Sequence, residues 1–212
     1  MSKVVSPDRE VRCTLPGEVR AVRSADGKAT MLQGFASVYD SRSKPIGGYF
    51  VEIVRKGAFG RAIRGEDDVR ALYNHDASQV LGRGKAGTLR LFDDPKGLRY
   101  EIDLPDTTVA RDLAISVDRG DVNQSSFGFR KIKDAWSEER TAEGMIIDIR
   151  ELLEVELFDI SPVTFPAYED TEVGVRSVTQ IRTARERRGK TLYHKQRARL
   201  SGIDLTETAS AS

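Results

Sequence analysis

Apolar residues recur along this chain in short alternating runs, not in long helical stripes. From Glu10 to Arg23 the run carries Val11, Leu15, Val19 and Val22 and is interrupted by Pro16-Gly17. Asp26-Gly27 is a turn pair, and Thr30 to Val38, with Met31, Leu32, Phe35 and Val38, forms the next extended run. Two extended runs around such a pair predict a hairpin. Phe50 to Val54, Val69 to Tyr73, Leu89 to Phe92 and Leu98 to Leu104 read as further short strands. The last two flank Asp93-Asp94-Pro95-Lys96-Gly97, a strong turn. Gln124 to Lys131, Met145 to Val155 and Leu157 to Val163 are also extended, with a polar loop over 134–144. Two segments break the pattern. Residues 58–64 predict a short helix. Thr107 to Arg119 predicts a longer one, capped by Thr107 or Thr108, with Val109, Leu113 and Val117 on one face and Gly120 at its C-cap. Many short strands with few helices predict an α+β, mainly β fold: an antiparallel β-barrel or sandwich with a few peripheral helices.

Three regions follow from the same pattern: a flexible leader over 1–9, a folded domain over 10–171 and a tail over 172–212. The tail carries Arg176, Arg182, Arg185, Arg187, Arg188, Lys190, Lys195, Arg197 and Arg199 against few acids, so it reads as basic and partly helical or disordered. Over the whole chain the net charge is only +1, which argues against a strongly basic nucleic-acid binder. Aromatic residues are not interleaved with the basic ones, so binding by base stacking is unsupported. No stretch approaches the roughly 20 apolar residues of a membrane-spanning helix. The first residues lack the apolar core of a secretory signal. One cysteine, Cys13, rules out an internal disulfide and fits a reducing compartment.

Histidine is scarce, so proton transfer near neutral pH has two candidate positions, His75 and His194. His194 lies in the basic tail and reads as solvated. His75 follows a strand, between Asn74 and Asp76. One cysteine far from one histidine does not make a zinc site, and no phosphate loop or serine elbow is present. Cys13 reads as a small buried thiol. The remaining nucleophiles are hydroxyls, and Ser125 and Ser126 stand out in an aromatic strand with Gly128 two positions on. Adjacent strand residues point to opposite faces, so at most one of the two serines can face a given histidine. Carboxylates also punctuate the strand Glu151, Glu154, Glu156, Asp159, and one that points inward could orient an imidazole.

Four blocks, in order, resemble the caudovirus prohead protease family of tailed phages. They are Gly34–Asp40 with Glu52–Phe59, Leu72–Asp76 with Leu81-Gly82-Arg83, Gly120–Phe129, and Glu154–Tyr168. The resemblance covers roughly residues 30–170. The ordered set of Asn74-His75-Asp76, Ser126-Phe127-Gly128-Phe129 and Val163–Tyr168 is its specific part. It implies an assemblin-like β-barrel serine endopeptidase that cleaves scaffold and capsid protein, and itself, during prohead maturation. It implies Ser126 as nucleophile and His75 as base. Assemblin uses a second histidine where this core has none, so an acid takes the third place: Glu154 first, Asp159 second, only one of them facing His75. Backbone N–H groups at Phe127 and Gly128, or Arg83 or Arg130, are candidates to hold the oxyanion and substrate. No metal and no cofactor are expected. Implied partners are the major capsid protein and its scaffold segment or scaffold protein, with self-association. The expected place is the assembling procapsid in the host bacterial cytoplasm. Family members often carry Gly-Met where this chain has Gln124-Ser125, which leaves Ser125 as a rival nucleophile. The alternative is a catalytically silent β-barrel that binds scaffold or capsid.

Overall fold

The structure, a computed structural model, describes residues 9–13, 19–46, 50–140 and 146–165. The basic tail, His194 and the end of the fourth block lie outside the described residues. The described strands form two sheets and do not close into a barrel. One sheet has four strands in the order β2 (Val19–Arg23), β3 (Ala29–Val38), β8 (Gly97–Asp103), β7 (Leu89–Asp93), all antiparallel. The hairpin at Asp26-Gly27 forms as expected, with Gly27 at φ 83° where a side chain would be strained.

The other sheet has six strands and carries the chemistry. Its order is β1 (Glu10–Cys13), β9 (Gln124–Arg140), β10 (Ile146–Val163), β5 (Arg70–Tyr73), β6 (Asp76–Arg83), with β4 (Phe50–Val54) also on β10. β9 and β10 pair over their whole length. The segment expected as a loop over 134–144 is instead largely strand, with β9 reaching Arg140. Its polar residues are those of a strand pair exposed to solvent, anchored by Trp136 edge-on to Phe50 at 5.2 Å. β4 and β5 run parallel to β10, contrary to the all-antiparallel expectation. They share one edge of β10: β4 takes Asp148–Leu152 and β5 takes Asp159-Ile160. In the gap between them the chain from Arg55 to Asp67 takes over the bonding. Ala58 O accepts from Val155 N (3.0 Å), and Asp67 Oδ2 accepts from Leu157 N (3.0 Å). Buried backbone groups are almost always satisfied, and here a loop completes an edge that two short strands leave open.

Helix α1 (Gly60–Ile63) is shorter than expected. Helix α2 (Thr108–Asp118) is capped by Thr107, whose Oγ1 accepts from Ala110 N at 3.3 Å. Its buried stripe is Ala110, Leu113, Ala114 and Val117. Val109, expected on the same face as Leu113 and Val117, is 37% exposed and lies off this stripe, which Ala110 and Ala114 complete instead. The main core joins both sheets and contains Leu32, Tyr100, Phe59, Phe127, Phe129, Leu152, Leu157 and Ile160. Phe59 meets Phe127 edge-on at 5.3 Å.

Under β1 lies a buried ionic network. The Arg150 guanidinium donates to Glu10 Oε1 (2.9 Å) and Oε2 (2.6 Å), to Glu52 Oε2 (3.1 Å) and to Asp134 Oδ2 (3.0 Å). Arg12 donates to Glu52 (2.7 and 3.0 Å) and Glu10 (2.7 Å). Burial raises the Glu10 carboxyl pKa, but the hydrogen bond from Arg150 and the charges of Arg12 and Arg150 outweigh it and hold the pKa below its usual value. A lowered folded pKa stabilises at pH values above the unfolded pKa. That contribution is present at neutral pH and is lost as pH falls through the lowered value. Removing one partner of such a network strands buried charge, so Arg150→Met is expected to lower unfolding free energy by about 3–5 kcal/mol, read by urea denaturation at pH 7. The deficit should narrow in acid, where the carboxylates protonate.

Candidate active site

His75 is placed by a tight hairpin. Tyr73 pairs with Asp76, leaving Asn74 and His75 as the two central residues, at φ 53° and 56°. Two successive left-handed residues make the primed turn that matches strand twist. Asparagine tolerates this conformation, whereas in a histidine it is strain that the surroundings must hold. The end of β10 holds it. Asn74 N donates to Pro162 O (3.0 Å), Thr164 N donates to Asn74 Oδ1 (2.9 Å), and His75 N donates to Ser161 Oγ (3.2 Å).

Ser126 lies on β9 directly opposite Ser161, and Asp159 lies opposite Gly128. On β9, Phe127 and Phe129 fill the core, so Ser126 and Gly128 face the other side of the sheet. Ser125 points the core way, with its Oγ 2.6 Å from the buried Tyr100 hydroxyl. Burial pushes the Tyr100 phenol pKa up, and the bond to Ser125 only partly offsets this. On β10, Leu157 and Ile160 both belong to the core, and the register slips by one residue between Leu157 and Asp159. This bulge turns Asp159 onto the Ser126 face, as bulges beside sites commonly re-aim a side chain.

The result is a continuous hydrogen-bonded line. His75 Nε2 is 2.7 Å from Ser126 Oγ, and His75 Nδ1 is 2.5 Å from Asp159 Oδ2. Asp159 is 2% exposed and Ser126 is fully buried. Ser161 Oγ donates to Asp159 Oδ2 (3.0 Å) while accepting from His75 N, so it fixes acid and histidine together. Arg9 pairs with the other oxygen of Asp159. A methyl group on Gly128 would collide with Asp159 Oδ1 and the Arg9 guanidinium, so the glycine two places after Ser126 is the clearance for the carboxylate.

The structure places Asp159, not Glu154, against His75. Strand alternation would put two residues five apart on opposite faces, but it does not hold for Glu154 and Asp159, because register slips fall between them. What separates them is length. Glu154 sits opposite Lys133, five residues or roughly 16 Å along the strand from Asp159. Arg83 is held by Asp68 (2.8 and 2.6 Å), whose carboxyl pKa is pulled down to about 2 chiefly by that hydrogen bond. Arg130 pairs with Glu156. Phe127 and Gly128 have ladder partners on both sides, β1 and β10. Cys13 lies in β1 opposite Ser126. Sequence reasoning misses Ser161 and Arg9 as site residues. Ser161 stands two residues from Asp159 on one strand face, a signal that could find it, whereas nothing local marks Arg9.

A carboxylate, an imidazole and a hydroxyl in line can move a proton from the hydroxyl and stabilise the imidazolium that forms, which is the chemistry of nucleophilic hydrolases. The sequence profile of the caudovirus prohead serine protease family matches residues 18–186, most of the chain, and the chain belongs to that family. It is therefore a phage prohead protease by family. Among solved structures it is similar to the bacteriophage T4 capsid assembly protease gp21, at 13% identity and a TM-score of 0.47, over 76% of this chain and all of that one. No curated protein sequence matches. Among the described residues no helix is long and apolar enough to cross a membrane.

Proposed function

We propose that this protein is a serine endopeptidase that uses Ser126, His75 and Asp159 to cleave the scaffold and capsid protein of a tailed phage, and itself, inside the procapsid in the host cytoplasm. The observation that carries this reading is the unbroken line Asp159–His75–Ser126. Ser126 Oγ attacks the peptide carbonyl while His75 Nε2 takes its proton and then delivers it to the leaving amine. Asp159 accepts from Nδ1–H, which keeps Nε2 free of hydrogen and stabilises the imidazolium. Water, with His75 again as base, then releases the acyl group. The oxyanion needs donors about 3 Å away; Arg83 and Arg130 are held by Asp68 and Glu156, and the N–H groups of Phe127 and Gly128 are free to serve only where the pairing of β9 opens.

The test is co-expression with the phage's major capsid protein, read on a gel and by intact mass. Wild type should trim the capsid or scaffold chain, and Ser126→Ala should leave full-length proteins. Ser125→Ala should trim like wild type and lose about 1–3 kcal/mol of stability, since the buried Tyr100 hydroxyl loses its bond to it. Trimming that survives Ser126→Ala and stops in Ser125→Ala would move the nucleophile. Trimming unaffected by either would favour a silent capsid-binding module.

A further inference from the structure

We infer that Ser161 is a positioning residue of the reaction: its hydroxyl ties the Asp159 carboxylate to the His75 main chain and so holds acid and base where Nε2 can take the Ser126 proton. The inference rests on the serine-protease reading above and deepens it. Ser161 is not itself a member of the proton line, whose three groups touch one another without it.

The direction of its bonds follows from what each partner can do. The His75 N–H can only donate, so Ser161 Oγ accepts from it at 3.2 Å. That leaves the single hydroxyl proton for Asp159 Oδ2, 3.0 Å away. Ser161 is 0% exposed, so bulk water cannot take over either bond.

Both bonds act where the site is least able to hold itself. A carboxylate turns easily about the bond to its Cβ, because that torsion is broad and two-fold. Asp159 has a second claimant, since Arg9 pairs with Oδ1. Oδ2 must nevertheless stay on His75 Nδ1, 2.5 Å away, while the imidazole gains its charge. The Ser161 proton on that same oxygen opposes a turn toward Arg9. At the base, His75 lies at φ 56°, a left-handed conformation that a histidine keeps only when its surroundings impose it. The bonds from Asn74 N to Pro162 O and from Thr164 N to Asn74 Oδ1 fix the residue before it. The bond to Ser161 fixes the His75 N–H itself. Ser161 also refers both groups to the nucleophile. It is the cross-strand partner of Ser126, and it stands two residues from Asp159 on one face of β10.

The experiment labels the full chain with a fluorophosphonate at a series of concentrations, read by intact mass, for wild type, Ser161→Ala, Ser161→Thr, Thr164→Val and Ser126→Ala. Labelling replaces the P–F bond by one from Ser126 Oγ to phosphorus; fluoride leaves and the hydroxyl proton passes to His75. Proton NMR of the unlabelled proteins follows the downfield resonance of the His75 Nδ1–H, identified by its absence in His75→Gln. Ser161→Ala should lower the rate at saturating probe by about a hundredfold, the scale of a small misplacement of reacting groups, and leave the half-saturating concentration unchanged. Its Nδ1–H resonance should move or vanish, which a loss of stability alone would not cause in the folded protein. Ser161→Thr keeps the hydroxyl and should recover both rate and resonance. Thr164→Val loses side-chain bonds to Tyr73 and Asn74 but keeps the Ser161 bridge, and should label at close to the wild-type rate. Wild-type labelling of Ser161→Ala, or a resonance left in place, would overturn the inference; with Ser126→Ala unlabelled, the serine-protease reading would still stand. A slowing in Thr164→Val as large as in Ser161→Ala would also overturn it, because any loosening of the hairpin would then suffice. Labelling of Ser126→Ala at the wild-type rate would overturn that reading and the inference with it. Thermal melts accompany each variant. If Ser161→Ala fails to fold, Ser161→Cys, close in size but with only a weak S–H donor, decides the matter.

Discussion

Ser126→Ala is expected to lower turnover of a cleavable peptide by about a million-fold, and His75→Ala by a similar factor. The two losses should not add. The hydroxyl is a weak nucleophile until the imidazole takes its proton, so removing either one removes the same step. A double variant no slower than the worse single one, measured as kcat/KM on a capsid-derived peptide, is the signature of one catalytic unit. Singles that multiply would mean that Ser126 and His75 act in separate events, which the 2.7 Å contact between them argues against. Melting temperatures should stay close to wild type in both, because neither side chain belongs to the apolar core.

Asp159→Asn is the second large effect, about four orders of magnitude in turnover. The substitution keeps the shape of the side chain and inverts its bonding. An amide that presents its N–H₂ to His75 Nδ1 forces the hydrogen onto Nε2, and Nε2 can then no longer take the Ser126 proton. Glu154→Gln should fall within a few-fold of wild type, because Glu154 faces Lys133 well down the strand. The pair of variants separates the two acids in a single assay. A large loss in Glu154→Gln with none in Asp159→Asn would overturn the assignment made from the 2.5 Å contact.

Much of this site is legible in the amino-acid sequence, for local reasons. The scarcity of histidine and a place at a strand end mark His75, and the hairpin at Asn74-His75 is a local feature. The choice between Ser125 and Ser126 stays open in the sequence because it depends on which face of β9 meets the second sheet, and Tyr100 settles that from a distant strand. The sequence ranks Glu154 ahead of Asp159, the acid that lies against His75, for a related reason. Simple alternation fails across a bulge, and the bulge before Asp159 depends on how β10 pairs with β9. Strand β6 has no alternating apolar signature, because half of its residues are exposed and its pattern is polar. Its pairing with β5 makes it a strand. The run from Glu10 to Arg23 shows a break at Pro16-Gly17, but nothing in it says that β1 and β2 belong to different sheets. Partner choice of that kind is set by the whole fold.

The position of β9 next to the sheet margin has a consequence for how this protein must be handled and housed. Strip away its outer neighbour and the nucleophile's strand becomes a bare margin, with unpaired main-chain donors and acceptors that will zip to any extended chain nearby. A preparation freed of its outer strand should be the quickest to clump. Dense, compatible chains packed around it, as in a closed shell filled with its own targets, would suit such a molecule better than dilute solution.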